Sequence, residues 1–392
     1  MKAVILAAGK GTRLEPLTLT RPKPLIKIAN KSLLEWNLLQ LKGVVKEVVI
    51  VTGHLGNKIK EKIGSEYNSL SIEYVEQEQQ LGTGHALQQA QHLLDNKFIA
   101  MNGDDLYHKD DIEACAKHKL CILGKEVNNA KSFGIIKKEN GRVLSIIEKP
   151  DADKGLANVG LYVLDTSIFD IILQKSSRGE YEIVDYISAL AKNDKVSCEI
   201  VRKYWQPITY PWEILTANKF ILDEYGSQLA ESAEIRSGAY IEEPVAIGSG
   251  AVIGPNCFIR KYSSIGANCK VGNAVEIKNS VIMGGHSYVS HLSYVGDSVV
   301  SSDVNVGAGT IFANLRLDEG NVKMKINGVA LDSGLKKLGG IVGDGVKFGV
   351  NVTIMPGKKI WPNLLIPSRM TITDDVTEQP NLKEWVGKDD EE

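Results

Sequence analysis

In the first half of the chain, short hydrophobic runs rich in β-branched residues alternate with stretches of helical periodicity. The runs occupy residues 3–6, 47–52, 72–75, 98–101 and 159–164, and the amphipathic stretches include residues 33–41 and 86–94. This alternation predicts βαβ units around a mostly parallel sheet that is covered on both faces. Ligands of such sheets bind at the carboxyl ends of the strands, so the loops after Leu6, Val75 and Met101 are the first candidate site.

From about Glu231 onward, hydrophobic residues recur every six positions. This series runs from Ile235 to Ile277 and returns from Val342 to Ile372, with a small or slim residue two positions before each aliphatic residue of the first run. A fixed short period is typical of a β-solenoid, in which three hexapeptides form a coil of about eighteen residues. The period breaks around residues 283–293 and 312–339, where we expect insertions outside the coil.

Composition narrows the class of protein. The chain has 392 residues, enough for two or three domains, and its net charge of -2 argues against a protein built to bind nucleic acid. The five cysteines show no CxxC spacing and no disulfide framework, which favours a reducing cytoplasm. No apolar run approaches the ~20 residues of a membrane helix, so no membrane association is expected.

A glycine loop follows the first predicted strand directly, over residues 6–14. Its small residues allow backbone N–H groups to approach a triphosphate, and it fits neither the Walker A nor the GxGxxG pattern. Arg13 at its end and Lys23 in the proline-stiffened segment 21–24 add two cations. Loop and cations together indicate a site for a nucleotide.

These residues resemble the sugar-phosphate nucleotidylyltransferase family, whose LAAGxGTRLxPLTxxxPKP pattern they match almost letter for letter. The resemblance covers roughly residues 1–225. The resemblance implies that a sugar 1-phosphate attacks the α-phosphorus of a nucleoside triphosphate and releases pyrophosphate. Arg13 would grip the pyrophosphate and Lys23 would neutralise the α-phosphate, because this chemistry needs mainly positioning and electrostatic stabilisation. The implied nucleotide contacts in the loop are Leu6, Ala7, Ala8, Gly9, Gly11 and Thr12.

Residues 75–84 resemble the base-reading loop of uridylyl- and thymidylyltransferases. Gln77 can offer a donor and an acceptor to the imide edge of a pyrimidine, which UTP and dTTP share. Gln80, Gly82 and Thr83 would shape the rest of the pocket. The sugar contacts implied by the resemblance are Gly134, Glu148 and Asn158.

The segment 102–104, Asn-Gly-Asp, resembles the metal motif of the family, with Asp104 as a ligand of Mg²⁺. Many relatives carry a second metal-binding Asp in a Trp-x-Asp segment. Here Trp205 is followed by Gln206 and Pro207, and proline cannot ligate a metal. Glu213 is the nearest carboxylate that could serve as the second ligand.

The second half carries its own cluster of polar residues. Arg260 and Lys278 are eighteen residues apart, one full coil, so they should stack at one corner of the prism and form a phosphate site. The segments HLSYVGD (291–297) and VNVGAGTIFAN (304–314) follow. His291 is a natural general base, since imidazole titrates near neutrality.

These segments resemble the acetyltransferase domain of the bifunctional GlmU proteins, over about residues 231–375. The resemblance implies a left-handed β-helix that acetylates glucosamine 1-phosphate with acetyl-CoA, and a homotrimer with sites between subunits. Tyr294 and Asn305 would bind the phosphosugar, and Asn314 would orient the base, amine or thioester. Gly307 and Ala308 match the segment that faces the pantetheine of acetyl-CoA.

Two departures concern this second site. A serine of the family becomes Val350, and the second insertion is longer and more basic than in the bacterial proteins, which makes the chain look archaeal in type. Lys323 or Lys325 of that insertion is a further candidate contact for the substrate.

The sequence thus predicts an α/β Rossmann-like nucleotidylyltransferase domain at residues 1–228, a left-handed hexapeptide β-helix at 229–380 and an acidic tail at 381–392. The leading hypothesis is a bifunctional, cytoplasmic enzyme of UDP-N-acetylhexosamine synthesis. One alternative is a single-activity glucose-1-phosphate thymidylyl- or uridylyltransferase whose β-helix only trimerises. Another is a non-catalytic scaffold, against which the intact Arg13, Lys23 and Asp104 argue.

Overall fold

A computed structural model describes residues 1–172, 174–176, 179–193 and 196–382. The predicted acidic tail therefore falls almost wholly outside the described residues. The chain forms two compact units. The first comprises Met1–Lys10, Pro22–Leu25 and Leu33–Pro207, and the second comprises Gly11–Arg21, Ile26–Ser32 and the chain from Ile208 onward.

The first unit is built on a ten-stranded sheet. Its central strand, Lys2–Ala7, pairs in parallel with Glu47–Thr52 and with Lys97–Asn102. Residues Ala3, Val4 and Ile5 of this strand are fully buried, because apolar clusters pack on both faces. The strands in order across the sheet are Gly134–Glu139, Arg142–Glu148, Ser197–Ile200, Cys121–Val127, Gly155–Asp165, Lys97–Asn102, Lys2–Ala7, Glu47–Thr52, Leu70–Glu76 and Glu66–Tyr67.

The predicted α/β fold of this unit is confirmed, but its sheet is mixed rather than parallel throughout. The long strand Gly155–Asp165 runs antiparallel to Lys97–Asn102 on one side and to Cys121–Val127 on the other. Five helices accompany the sheet, and they span Leu33–Leu41, Gly56–Ile63, Thr83–Gln89, Lys109–Ala116 and Ile183–Asn193.

The second unit contains a β-helix with three parallel sheets, seven strands in each. The first sheet consists of Gln228–Leu229, Ala246–Ile247, Ser264–Ile265, Val281–Ile282, Val299–Val300, Ile341–Val342 and Lys359–Ile360. The second consists of Glu234–Ile235, Val252–Ile253, Lys270–Asn273, Tyr288–His291, Asn305–Val306, Lys347–Phe348 and Leu365–Ile366. The third consists of Tyr240–Ile241, Phe258–Ile259, Glu276–Lys278, Tyr294–Gly296, Ile311–Phe312, Thr353–Ile354 and Thr371–Ile372.

The strand register follows the predicted eighteen-residue coil. Ile235 pairs with Ile253, which in turn pairs with Val271 one coil later. Ile253, Ile259 and the other aliphatic residues of the inner coils fill the core, because each stacks on its equivalent in the next coil. The helix Glu213–Tyr225 leads the chain into the first coil.

Only one of the two predicted insertions exists. Residues 283–293 do not leave the coil, because Tyr288–His291 forms a regular strand of the second sheet and Val289 pairs with Val271. The turn between Ile277 and Ile282 is one residue shorter than the period, and the turn between Ile282 and Val289 is one residue longer. These two changes compensate each other and only look like an interruption of the six-residue period. The second insertion is real: Val300 pairs with Val342, and the hairpin of strands Lys323–Ile326 and Val329–Asp332 lies between them.

No helix among the described residues is both long and apolar enough to cross a membrane.

Candidate functional sites

The first-unit part of the glycine loop is held by contacts from two other loops. The Ala8 carbonyl accepts hydrogen bonds from the Gln80 side chain (2.9 Å) and from the His54 backbone N–H (3.2 Å). A Cβ on Gly53 would lie 2.8 Å from the same carbonyl oxygen. Gly53 is thus required by the close approach of the two loops. It was not among the residues predicted from the sequence, although a glycine directly after a buried strand is a usable signal.

The predicted base-reading loop is an ordered turn in front of the helix Thr83–Gln89. Gln77 is buried, and its side-chain amide donates to the Gly82 carbonyl (3.0 Å) and lies 3.0 Å from His85 Nδ1. Gly82 has a φ of 107°, and a Cβ there would lie 2.4 Å from the Tyr181 carbonyl. Thr83 Oγ1 accepts the Ile183 N–H at 3.1 Å. The amide nitrogen of Gln77 is therefore engaged within the protein, and its base-reading role stays a prediction.

Lys23 and Asp104, eighty-one residues apart in sequence, meet as an ion pair in the first unit. Lys23 Nζ lies 2.5 Å from Asp104 Oδ2; the lysine side chain is 11% exposed and the carboxylate 38%. Asp104 sits in the turn after the strand Lys97–Asn102, which Gly103 makes tight: a Cβ on Gly103 would lie 2.9 Å from the Leu6 carbonyl. The predicted metal ligand and the predicted α-phosphate cation are thus together.

The segment that replaces Trp-x-Asp lies beside this turn. The strand Trp205–Pro207 pairs antiparallel with Asp105–Tyr107, and Pro207 stands opposite Asp105. Trp205 Nε1 donates to the buried Asp105 carboxylate at 3.1 Å. Asp105 is therefore a structural carboxylate, and the proline occupies the position next to the metal motif. No group of three or more His, Cys, Asp or Glu side chains that could hold a metal occurs among the described residues.

Two of the three predicted sugar contacts face each other. Gly134 pairs with Glu148 across antiparallel strands, and a Cβ on Gly134 would lie 2.7 Å from Glu148 Oε2. The glycine thus leaves room for the carboxylate. Asn158 is held in place, because its amide donates to the Tyr162 hydroxyl (2.7 Å) and accepts the Gly160 N–H (3.0 Å).

Four other predicted first-site residues, Gly11, Thr12, Arg13 and Glu213, belong to the second unit, whereas Leu6, Ala7 and Gly9 belong to the first. Gly11 has a φ of 67° and precedes the short 3-10 turn Thr12–Leu14, in which the Arg13 guanidinium lies 5.9 Å from the centre of the Tyr210 ring. Arg13 makes no ion pair with any residue the structure describes. The Glu213 carboxylate accepts the backbone N–H groups of Thr209 and Tyr210, at 2.5 and 2.9 Å, at the start of its helix. Its role as a metal ligand stays a prediction.

A cavity of about 420 Å³ lies beside Arg13 within the second unit. The hairpin of the second insertion forms one wall, where Lys325 pairs with Asp374 at 2.8 Å. Lys359 also lines the cavity, and burial lowers the pKa of its side chain. Lys325 thus lines the same cavity as Arg13 and is engaged with a carboxylate.

In the β-helix, Arg260 and Lys278 stack as the period predicted, since the Arg260 N–H donates to the carbonyl of Ile277 at 2.8 Å. Each carries a carboxylate partner: Arg260 lies 3.1 Å from Glu276, and Lys278 lies 3.2 Å from Asp297. The predicted phosphate site is thus partly neutralised before any ligand binds.

Tyr294 and Asn314 meet at the third sheet, where Asn314 Nδ2 donates to the tyrosine hydroxyl at 3.0 Å. Burial, helped by the Asp297 carboxylate, raises the pKa of Tyr294. His291 and Asn305 belong to strands of the second sheet, and His291 is exposed. The second-site residues of one chain therefore divide between two faces of the prism.

The predicted acetyl-CoA segment is a turn of the coil. A Cβ on Gly307 would lie 2.4 Å from the Gly349 carbonyl, so packing between coils alone requires this glycine, and Ala308 follows it. The backbone N–H of Val350 donates to the hydroxyl of Ser368, one coil later, at 3.1 Å. Ser368 of the next coil is therefore hydrogen-bonded to Val350, the residue that replaces the serine of the family pattern.

Comparison with known proteins covers both units. Residues 2–224 match the Nucleotidyl transferase family, and residues 241–376 match the family described as the GMPPB C-terminal domain. Crystallised relatives include a putative glucose-1-phosphate thymidylyltransferase from Bacillus anthracis, 25% identical with a TM-score of 0.53, which covers 57% of this chain and 96% of its own.

Two curated relatives align over nearly the whole length. The bifunctional protein GlmU of Methanococcus vannielii is 38% identical, with 97% of this chain and 96% of the relative aligned. A bifunctional sugar-1-phosphate nucleotidylyltransferase/acetyltransferase of Sulfurisphaera tokodaii is 40% identical, with 92% and 94% aligned. The chain therefore belongs to the family of bifunctional GlmU-type sugar-1-phosphate nucleotidylyltransferase/acetyltransferases found in archaea.

Proposed function

We propose that this chain acetylates glucosamine 1-phosphate with acetyl-CoA and then joins the product, as a sugar 1-phosphate, to the nucleotidyl group of UTP or dTTP. The observation that carries the proposal is the cluster of Lys278, Tyr294 and Asn314 in the β-helix. A β-helix that served only for trimerisation would have no need for buried polar groups at this point, because such groups cost free energy unless they are hydrogen-bonded.

In the second site, Arg260 and Lys278 bind the phosphate of the amino sugar, together with the hydroxyl of Tyr294 and the amide of Asn305. The neutral imidazole of His291 takes a proton from the amino group as its nitrogen attacks the acetyl carbonyl, and the thiolate of coenzyme A leaves. Gly307 and Ala308 face the pantetheine arm. The exposure of His291 supports this role, since a base must reach its substrate.

In the first site, the uracil or thymine ring faces Gln77, and the loop residues Ala8 and Gly9 approach the triphosphate. Lys23 stabilises charge at the α-phosphate while Arg13 holds the departing pyrophosphate. Gly134, Glu148 and Asn158 contact the sugar. The ion pair of Lys23 with Asp104 supports this assignment, because a phosphate oxygen can replace the carboxylate at the lysine.

The donor set fits Mg²⁺ better than a transition metal. Asp104 offers a hard, partly exposed carboxylate, and Mg²⁺ in phosphoryl-transfer sites is usually held by one or two carboxylates and the substrate phosphates. Asp104 would hold the ion, with Glu213 as the second candidate ligand, and the bound ion would neutralise phosphate charge during transfer.

We also assign the β-helix a left-handed coil and a homotrimeric assembly. His291 and Asn305 lie on the second sheet, whereas Tyr294 and Asn314 meet at the third. This division between two faces supports sites that are completed by a second subunit. Cyclic symmetry would place one face of each prism against the next.

The proposal is tested by acetyl-CoA-dependent thiol release with glucosamine 1-phosphate, in the wild type and in His291→Ala. His286→Ala is the matched control, since His286 is likewise exposed and lies five residues earlier, just before the strand Tyr288–His291. We expect turnover in the wild type and the control and a loss of about a hundredfold or more in His291→Ala. A wild type without thiol release that still releases pyrophosphate from UTP or dTTP would leave the single-activity alternative.

A further inference from the structure

Asp297 is a buried carboxylate at a corner of the β-helix, and the proposed chemistry gives it no role so far. It follows the strand Tyr294–Gly296 with a φ of 46°, and its side chain is 7% exposed. Its backbone N–H donates to the Lys278 carbonyl, and its own carbonyl accepts the Gly339 N–H, both at 2.8 Å. The backbone is thus fixed from the preceding coil and from the end of the insertion.

The Asp297 side chain collects donors from two other coils. Oδ1 accepts from Asn279 Nδ2 at 2.7 Å. Oδ2 accepts from Lys278 Nζ at 3.2 Å and from Asn314 Nδ2 in a short hydrogen bond. Lys278 and Asn314 are both residues of the proposed second site, so one carboxylate holds two of its groups.

The Asp297 carboxylate fixes the direction of the hydrogen bonds that link it to Asn314 and Asn314 to Tyr294. An ionised carboxylate can only accept, so the Asn314 atom that faces Asp297 must be the amide nitrogen. The same nitrogen lies 3.0 Å from the Tyr294 hydroxyl, and therefore the tyrosine oxygen accepts. Two consequences follow: the Tyr294 proton is left to donate away from Asn314, and Asn314 Oδ1 accepts no hydrogen bond from any residue in the described part of the chain.

We propose that Asp297 is a positioning residue of the second site, which orients Asn314 to accept from the amino group of the substrate and Tyr294 to donate to its phosphate. This inference rests on the proposed function, because the amino group and the phosphate belong to the substrate of the proposed acetyl transfer. It assigns Asp297 a directional role in addition to its contribution to folding, because the polarity of the chain of hydrogen bonds begins at the carboxylate.

A purely structural role would be satisfied by any pair that keeps a hydrogen bond between positions 297 and 314. The test therefore compares Asp297→Asn with the double variant Asp297→Asn, Asn314→Asp. The swapped pair restores a carboxylate and an amide in contact, but the carboxylate now faces Tyr294. The tyrosine proton must then point inward, so the hydroxyl no longer donates to the phosphate of the substrate.

For Asp297→Asn we expect kcat/KM for glucosamine 1-phosphate to fall at least about tenfold, while KM for acetyl-CoA changes less than about twofold. The double variant should regain a melting temperature close to that of the wild type without regaining the wild-type kcat/KM for glucosamine 1-phosphate. Asp303→Asn is the matched control: Asp303 is also a left-handed corner residue, but within the described part of the chain its carboxylate accepts only the His286 N–H, at 2.9 Å.

Recovery of wild-type kcat/KM in the swapped variant would overturn the inference, as would an Asp297→Asn enzyme with unchanged kcat/KM. A wild type without acetyl transfer would refute the proposed function instead. In that event calorimetric binding of glucosamine 1-phosphate decides the inference: both variants must bind at least about tenfold more weakly than the wild type and the Asp303→Asn control.

Discussion

The two units contain the same pair of groups in two different settings. Lys23 and Asp104 form an ion pair in the first unit, and Lys278 and Asp297 form one in the second. Among the described residues, the Asp104 carboxylate is 38% exposed and has one side-chain partner, whereas the Asp297 carboxylate is 7% exposed and has three. A carboxylate with free coordination positions can exchange its partner for a metal or yield its lysine to a phosphate.

A carboxylate that is enclosed by donors cannot make that exchange, because its departure would leave buried groups unpaired. Such a carboxylate instead holds the neighbouring side chains in fixed orientations. Burial and the number of partners thus separate a ligand from a positioning group, even when the residue types agree.

The largest expected effect is that of metal removal. Chelation of divalent cations should abolish pyrophosphate release, because Asp104 and the phosphates would lose the charge that holds them together. Acetyl transfer should be unchanged, since the proposed acetyl transfer relies on His291, Tyr294 and Asn314 and assigns no step to a metal. Both rates are measured on the same sample before and after chelation and after restoration of Mg²⁺. Equal losses of the two activities would remove the distinction.

Removal of the two carboxylates should affect stability unequally. Asp297→Ala leaves Lys278, Asn279 and Asn314 without their acceptor and should cost about 2–4 kcal/mol of folding free energy. Asp104→Ala removes a partly exposed ion pair and should cost less than about 1 kcal/mol. Thermal unfolding followed by circular dichroism compares them directly. A larger loss for Asp104→Ala would reverse the assignment.

Two glycines near the triphosphate loop should separate packing from ligand approach. Gly103→Ala should destabilise the protein by about 1–3 kcal/mol, because a Cβ would press on the Leu6 carbonyl at 2.9 Å. Gly9→Ala meets no atom within 4 Å. It should therefore leave the melting temperature unchanged and raise only KM for the nucleotide. A destabilised Gly9→Ala protein would show that the loop is packed rather than open.

The smallest expected effect is that of Tyr294→Phe. Loss of one hydroxyl donor should raise KM for glucosamine 1-phosphate by about five- to tenfold. Because the pKa of Tyr294 is raised, the hydroxyl stays protonated throughout the neutral and mildly alkaline range, so the tyrosine should add no alkaline limb to the pH profile below its usual pKa. A tyrosine-dependent decline between pH 8 and about 10 would contradict this.

More of the fold could be predicted from the sequence in the second half of the chain than in the first. The inward positions of Ile253 and Ile259 could be predicted because each aliphatic residue stacks on one eighteen residues away, so one period encodes both core and register. A fixed period cannot represent compensating changes of turn length, and for that reason residues 283–293 were wrongly expected to leave the coil. In the first half the buried strands were evident, but not the antiparallel direction of Gly155–Asp165, which depends on long-range pairing.

The candidate sites show the same limit. Lys23 and Asp104 were each identifiable by motif, but their contact spans eighty-one residues and had no local signal. Asn279 and Asp297 lie one coil apart, so their contact could have been found from the period alone. The direction of the hydrogen bonds beyond Asp297 could not, since it depends on which atoms meet.

The most direct test of the central claim, two chemically independent sites in one chain, is to measure thiol release and pyrophosphate release on the same preparations of Asp104→Asn and His291→Ala. We predict that Asp104→Asn loses pyrophosphate release and keeps acetyl transfer, and that His291→Ala does the reverse, each loss being about a hundredfold or more. Loss of both activities in either variant, or of neither in both, would contradict the account.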